Sequence, residues 1–212
     1  MELSSWVDSA IAGLSASKLR IADAPSIVPA RPGLYAIYGE PSVWAMLNVV
    51  STEKGGPLYV GKSEDDLLDR EVFTHFNASS GRLPATGSST VRRSFAALLR
   101  TKLGLQSQAR NPSNPGHFAN YGLKGDGDRK LTAWMAQHLE LSIWEKPQNL
   151  SIPLKTIETV IIRHWDPPIN IHKAPTGRRE LKAARAALAL EARANAIAFT
   201  QQSAITSSLP ES

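Results

Sequence analysis

Gly33-Leu34-Tyr35-Ala36-Ile37-Tyr38-Gly39 is the stretch from which the fold is read. It is rich in aromatic and aliphatic residues and bounded by glycines, which predicts a short strand. Leu58-Tyr59-Val60, just after the turn signal Gly55-Gly56-Pro57, predicts a second. A third strand is expected over 140–144, carrying Leu141-Ser142-Ile143-Trp144.

Around these strands the apolar spacing turns helical. Leu3, Trp6, Val7, Ala10, Ile11 and Leu14 predict an N-terminal helix over 3–19. A connector from Pro25 to Pro32 follows, and 40–57 is mixed. Ser63, with Asp66 three residues on, caps a predicted helix over about 64–76. Ser88-Ser89-Thr90 caps another, to about Lys102, with Val91, Phe95, Leu98 and Leu99 on one face and Arg93 and Arg100 opposite. Residues 77–87 and the Gly- and Pro-containing 104–128 read as loops, and a helix over 129–139 follows. Pro153 opens a helix to Trp165 that Pro167-Pro168 ends, and an Ala-rich helix covers about 177–199. The pattern is α+β, a small, mainly antiparallel three-stranded sheet flanked by helices, with helical N- and C-terminal extensions.

The chain has 212 residues, 42% hydrophobic and 20% charged, ordinary values for one soluble globular domain with extensions. No run approaches the roughly 18 apolar residues of a membrane span. The N-terminus lacks a basic, apolar leader pattern, so a cytoplasmic protein is expected. Cysteine is absent, which excludes disulfides and thiolate zinc sites. Residues 72–125 contain no Asp or Glu but seven basic residues: Arg82, Arg92, Arg93, Arg100, Lys102, Arg110 and Lys124. This stretch carries +7 in a chain of net charge +5, so the remainder is net negative. A one-signed field of that extent suits a polyanion, with nucleic acid the first candidate.

Two features bear on chemistry. At about 100° per residue, Leu154, Ile157, Ile161, Ile162 and Trp165 form one apolar stripe, and Glu158 falls inside it. A carboxylate there is costly unless paired or bound to metal. It is either salt-bridged to a core arginine or placed at the edge of the stripe, or it is a metal ligand or acid/base group at the floor of a cleft. Gly56-Pro57-Leu58-Tyr59-Val60-Gly61-Lys62-Ser63 fits the spacing of the nucleotide-hydrolase phosphate loop, G-x-x-x-x-G-K-[ST]. Its interior is strand-like and lacks glycine, which argues against that use.

Gly33-Leu34-Tyr35 followed by Tyr59-Val60-Gly61 resembles the paired signatures of the GIY-YIG nuclease superfamily, with Leu34 and Val60 each standing for isoleucine. Arg70, His75, Glu158 and Asn170 (in Pro168-Ile169-Asn170) follow in the family's order. The resemblance covers about 33–170, with longer spacings than the smallest members have. It implies an N-terminal extension over 1–30, a nuclease domain over 31–172 with a basic insertion about 78–128, and a basic C-terminal helix and tail over 173–212. It further implies a metal-dependent DNA endonuclease. Glu158 would hold Mg²⁺ (or Mn²⁺), Arg70 would clamp the scissile phosphate, and Tyr35 or Tyr59 would serve as general base. Lys62 would lower the tyrosine pKa, Asn170 would support the site, and His75 would join it. His75 lies five residues from Arg70, about 140° away on a regular helix. Arg92, Arg93, Arg178, Lys182 and Arg185 are candidate phosphate contacts, the last three sharing one helical face. DNA is the expected partner, without a membrane; the sequence leaves the oligomeric state open, a homodimer included. A catalytically silent nucleic-acid-binding module on the same fold is the alternative.

Overall fold

A computed structural model of the chain describes residues 2–50, 55–69, 75–76, 85–111 and 119–207, with the backbone alone for 198–207. The elements in order are α1 (Leu3–Ala16), β1 (Leu19–Arg20), α2 (Ala24–Ile27), β2 (Gly33–Gly39), α3 (Pro41–Leu47), β3 (Tyr59–Ser63), α4 (Thr90–Leu103), β4 (Ser107–Gln108), β5 (Gly122–Leu123), α5 (Gly127–His138), β6 (Leu139–Glu145), α6 (Leu154–Trp165) and α7 (Arg179–Ser207). The class is α+β. The sheet is antiparallel in the order β1-β6-β2-β3, four strands where the sequence predicts three. The addition is β1, whose Leu19 and Arg20 pair with Leu141 and Glu140. Two residues are too few to show a period of two. In the same way, α2 hides in the Pro25–Pro32 connector and α3 in the mixed segment after it.

β2 is central and both its faces are covered. Leu34, Ala36 and Tyr38 belong to one apolar cluster, with α1 and α6. Tyr35 and Ile37 belong to the other, with α3, α4, α5 and α7. This double burial is why the strand reads as a continuous apolar run instead of an alternating one. The terminal helices are integral to these clusters. Trp6, Val7, Ala10 and Leu14 of α1 lie in the first, and Leu188 and Ala192 of α7 in the second.

Ser89 caps α4 as predicted, its Oγ accepting from the Arg92 amide at 3.1 Å. The helix is not two-faced, however. Arg92 and Arg93 are buried along with Val91, Phe95 and Leu99, because α5 and α7 pack against its remaining sides. Arg92 is completely buried, and its guanidinium bonds Asp128 Oδ1 and the Asp128 carbonyl, both at 3.1 Å. Burial lowers its pKa, against the attraction of Asp128. Arg93 donates to the Gly87 carbonyl at 2.8 Å. Burial and the nearby Arg185 lower its pKa to about 10. Arg100 pairs with Glu191 at 2.6 Å, and Arg110 donates to Gly87 at 3.1 Å. Acids from outside the acid-free stretch thus fold back to neutralise part of it.

The segment 104–128 is more ordered than a loop where it is described. β4 pairs with β5. Ser107 Oγ donates to the Leu188 carbonyl at 2.6 Å, and Asn195 donates to the Ser107 carbonyl at 2.9 Å, tying the hairpin to α7.

Asp128→Ala leaves the Arg92 charge buried without its counter-ion, so unfolding in urea should show a loss of roughly 3 kcal/mol. Arg110→Ala, at an exposed site, should cost less than about 1 kcal/mol.

Candidate active site

β2 and β3 pair in the register Tyr35↔Gly61 and Ile37↔Tyr59. Tyr35 and Tyr59 therefore project from neighbouring strands onto one face of the sheet. Their ring centroids are 5.9 Å apart. A Cβ added at Gly61 would lie 2.3 Å from Tyr35 Cζ and 2.4 Å from its hydroxyl oxygen. The tyrosine of the first signature lies across the glycine of the second, and no larger residue fits beneath it. Gly33 is held to the same standard: a Cβ there would meet the Trp144 carbonyl oxygen at 2.4 Å. Tyr35 is buried, whereas Tyr59 is partly exposed.

His75 joins this pair, its ring 6.3 Å from that of Tyr35. It is 1% exposed and lies in a wide, π-type turn. The wheel of a regular α-helix therefore does not govern its direction. Arg70 lies outside the described residues. Ser63 Oγ accepts from the Asp66 amide at 3.1 Å, the capping contact expected of it, while much of the helix expected over 64–76 lies outside the described residues. The octet that matches a phosphate loop is strand from Tyr59 to Ser63, with its backbone in the β2 ladder. Amides committed to a sheet do not wrap a phosphate.

β3 is the edge of the sheet. The chain after α6 returns along this edge. The Ile169 amide donates to the Leu58 carbonyl at 3.0 Å. Asn170 Oδ1 accepts from the Val60 amide at 2.9 Å, and its Nδ2 donates to the Val60 carbonyl at 2.8 Å. Asn170 thus grips the backbone between the tyrosine and glycine of the second signature.

Glu158 occupies the apolar stripe of α6, as the wheel predicts, and is 7% exposed. Its carboxylate pairs with Lys173, which stands at φ 67°, a left-handed conformation that costs a non-glycine residue energy. The partner is a lysine from the return segment and not a core arginine. Among the described residues no three His, Asp or Glu side chains gather into a metal-binding group. A lone buried carboxylate that already holds a cation fits a hard divalent ion, which keeps most of its own waters.

The cations are arranged differently from the sequence expectation. Lys62 is paired with Glu64 at 2.5 Å. Arg185 is the cation beside Tyr59: it is half-buried, its pKa is lowered by burial, and Tyr121 and Tyr59 partly offset that loss. It makes a long contact of 3.5 Å to Ser94 Oγ. Arg178 precedes α7 and is spent on the Asp166 carboxylate and the carbonyls of Asp166 and Pro167. Lys182 is exposed. Arg178, Lys182 and Arg185 therefore do not form one solvent face. Arg92 and Arg93, buried and bonded inside, are not surface phosphate contacts either. The sequence reading assigns Lys173 no role and Ser89 only that of a helix cap. No spacing rule connects Lys173 with Glu158 or Ser89 with His75, because both contacts are made by tertiary packing.

Residues 33–187 match the family model of the GIY-YIG catalytic domain. No curated protein and no solved structure matches the chain. No helix among the described residues is long and apolar enough to cross a membrane.

Gly61→Ala should displace the Tyr35 ring and cost roughly 1–3 kcal/mol of stability. Thermal unfolding would show this, together with altered ring-current shifts at Tyr59.

Proposed function

The chain belongs to the GIY-YIG superfamily, a family of endonuclease-type hydrolases, and from that premise we propose that it is a metal-dependent DNA endonuclease. The observation that carries the reading is the packing of Tyr35 across Gly61 and against both Tyr59 and His75, beside the strand edge that Asn170 grips. A divalent ion, Mg²⁺ or Mn²⁺, would be held by Glu158 and would supply positive charge to the scissile phosphate and its leaving oxygen.

The rest of the chemistry falls to side chains. Tyr59, the more exposed of the two signature tyrosines, accepts a proton from the attacking water, and the neighbouring guanidinium of Arg185 favours the phenolate it requires. Tyr35, pressed onto Gly61, orients Tyr59. Arg70 binds the phosphate as a forked donor. Asn170 holds Val60, and with it the tyrosine next in the chain, at a fixed height. Lys182 and other exposed cations position the duplex through its backbone.

Supercoiled plasmid with Mg²⁺ tests the reading. The wild type should nick or linearise it, and Glu158→Gln should lose the activity. Duplex binding without cleavage by the wild type would instead identify a binding module. Tyr59→Phe should lower single-turnover cleavage by about 10²-fold or more, the usual contribution of a general base. Lys173→Met removes the cation that competes for Glu158. In calorimetric titration without DNA it should tighten Mn²⁺ binding roughly fivefold, corresponding to about 1 kcal/mol for a partly exposed ion pair.

A further inference from the structure

His75 is fastened from behind by a buried polar chain. Its Nδ1 lies 2.7 Å from Ser89 Oγ, and its carbonyl accepts from Arg92 Nη1 at 2.8 Å. Arg92 Nη2 bonds Asp128 Oδ1 at 3.1 Å, and the same oxygen accepts from the Thr86 amide at 2.9 Å and the Thr86 hydroxyl at 2.6 Å. The turn before α4, the first turns of α4 and α5, and His75 are thereby locked together. Ser89 and His75 are each 1% exposed.

The tautomer follows from counting protons. A serine hydroxyl has one proton to donate and two lone pairs. Ser89 Oγ accepts from the Arg92 amide at 3.1 Å, and its other contact is His75 Nδ1. If Nδ1 carried a proton, the buried hydroxyl would accept twice and its own proton would have no acceptor, which is unfavourable away from water. The satisfied arrangement has the hydroxyl donating to an unprotonated Nδ1. The imidazole is then neutral, with its proton on Nε2, the nitrogen turned away from Ser89.

We propose that Ser89 is a positioning residue that holds His75 as the neutral Nε2–H tautomer, making the imidazole a fixed proton donor beside Tyr35. Arg92, Asp128 and Thr86 form the backing that keeps both partners in place. The catalytic use of that donor, a hydrogen bond to the phosphate or its leaving oxygen, rests on the nuclease reading above. The tautomer itself does not.

Two measurements on the full chain test this. Long-range ¹H–¹⁵N correlation of the histidine rings should show His75 with Nδ1 bare and Nε2 protonated in the wild type and in Ser89→Thr. Ser89→Gly, which keeps a tolerable helix cap without a hydroxyl, should lose the fixed tautomer while its melting transition stays cooperative. A protonated Nδ1 in the wild type, or an unchanged tautomer in Ser89→Gly, overturns the proposal. In single-turnover cleavage, Ser89→Gly should fall about tenfold or more with unchanged DNA affinity, an effect of the size expected for a lost proton donor. It should add nothing further in a His75→Gln background. Additive losses would make Ser89 merely structural and overturn the role. If the wild type does not cleave, the nuclease reading fails, and the ring spectra still decide the tautomer.

Discussion

Val60 turns its amide and carbonyl away from the sheet, and the side chain of Asn170 meets both. An edge strand with open backbone groups needs either water or a partner. Here the partner is one residue far along the chain, joined by the Ile169–Leu58 bond. This seam closes the sheet edge and fixes Tyr59 and Gly61 on either side of Val60. It also carries the chain on to Lys173, whose left-handed backbone brings its ammonium to Glu158. Loosening the seam would disturb the tyrosines and the carboxylate together, although they belong to different elements.

The charge distribution has a second meaning in three dimensions. Residues 72–125 are basic without exception among their charged members. Read linearly, that is a surface for a polyanion. Folded, Arg92 and Arg100 meet Asp128 and Glu191 from outside the stretch, and Arg93 and Arg110 are drawn onto the Gly87 carbonyl. Arg92 and Arg93 lie in the interior that the helices α4, α5 and α7 share, while Arg100 and Arg110 stay at the surface. Charge not committed in this way remains on other residues, among them the exposed Lys182.

What the sequence made legible follows from the range of the interactions involved. β2, the Ser89 cap, α6 and the burial of Glu158 are set by neighbours within a few positions, and periodicity reports them. The ordered signatures located the tyrosine pair because its geometry depends on Gly61 as much as on the rings. Arg92 misled for the converse reason. Its position on an isolated helix says nothing of Asp128, which arrives with α5. Helical spacing puts Arg178 and Arg185 on one face, yet α7 begins after Arg178. One is spent on Asp166, and the other interacts electrostatically with Tyr121 and Tyr59. A two-residue strand such as β1 leaves no pattern at all.

The placement of the two signatures on unlike strands has a physical reason. A central strand has a core on each face, so β2 can hold a tyrosine rigidly but keeps it buried. An edge strand is open along one side, and there groups from both faces can approach one line. Tyr59 stands on the face that α4 and α7 cover, while α6, which carries Glu158, packs on the other. The outer edge of β3, lined by Ile169 and Asn170, is where a helix on one face and an aromatic on the other come round to the same strand. A single carboxylate then suffices in chemical terms, because cations are not in short supply: Lys173 is already at Glu158, and Arg185 is already near Tyr59. In the proposed nuclease such a site would draw an anion by the charge around it, and its one acid would serve to hold a hard ion in place.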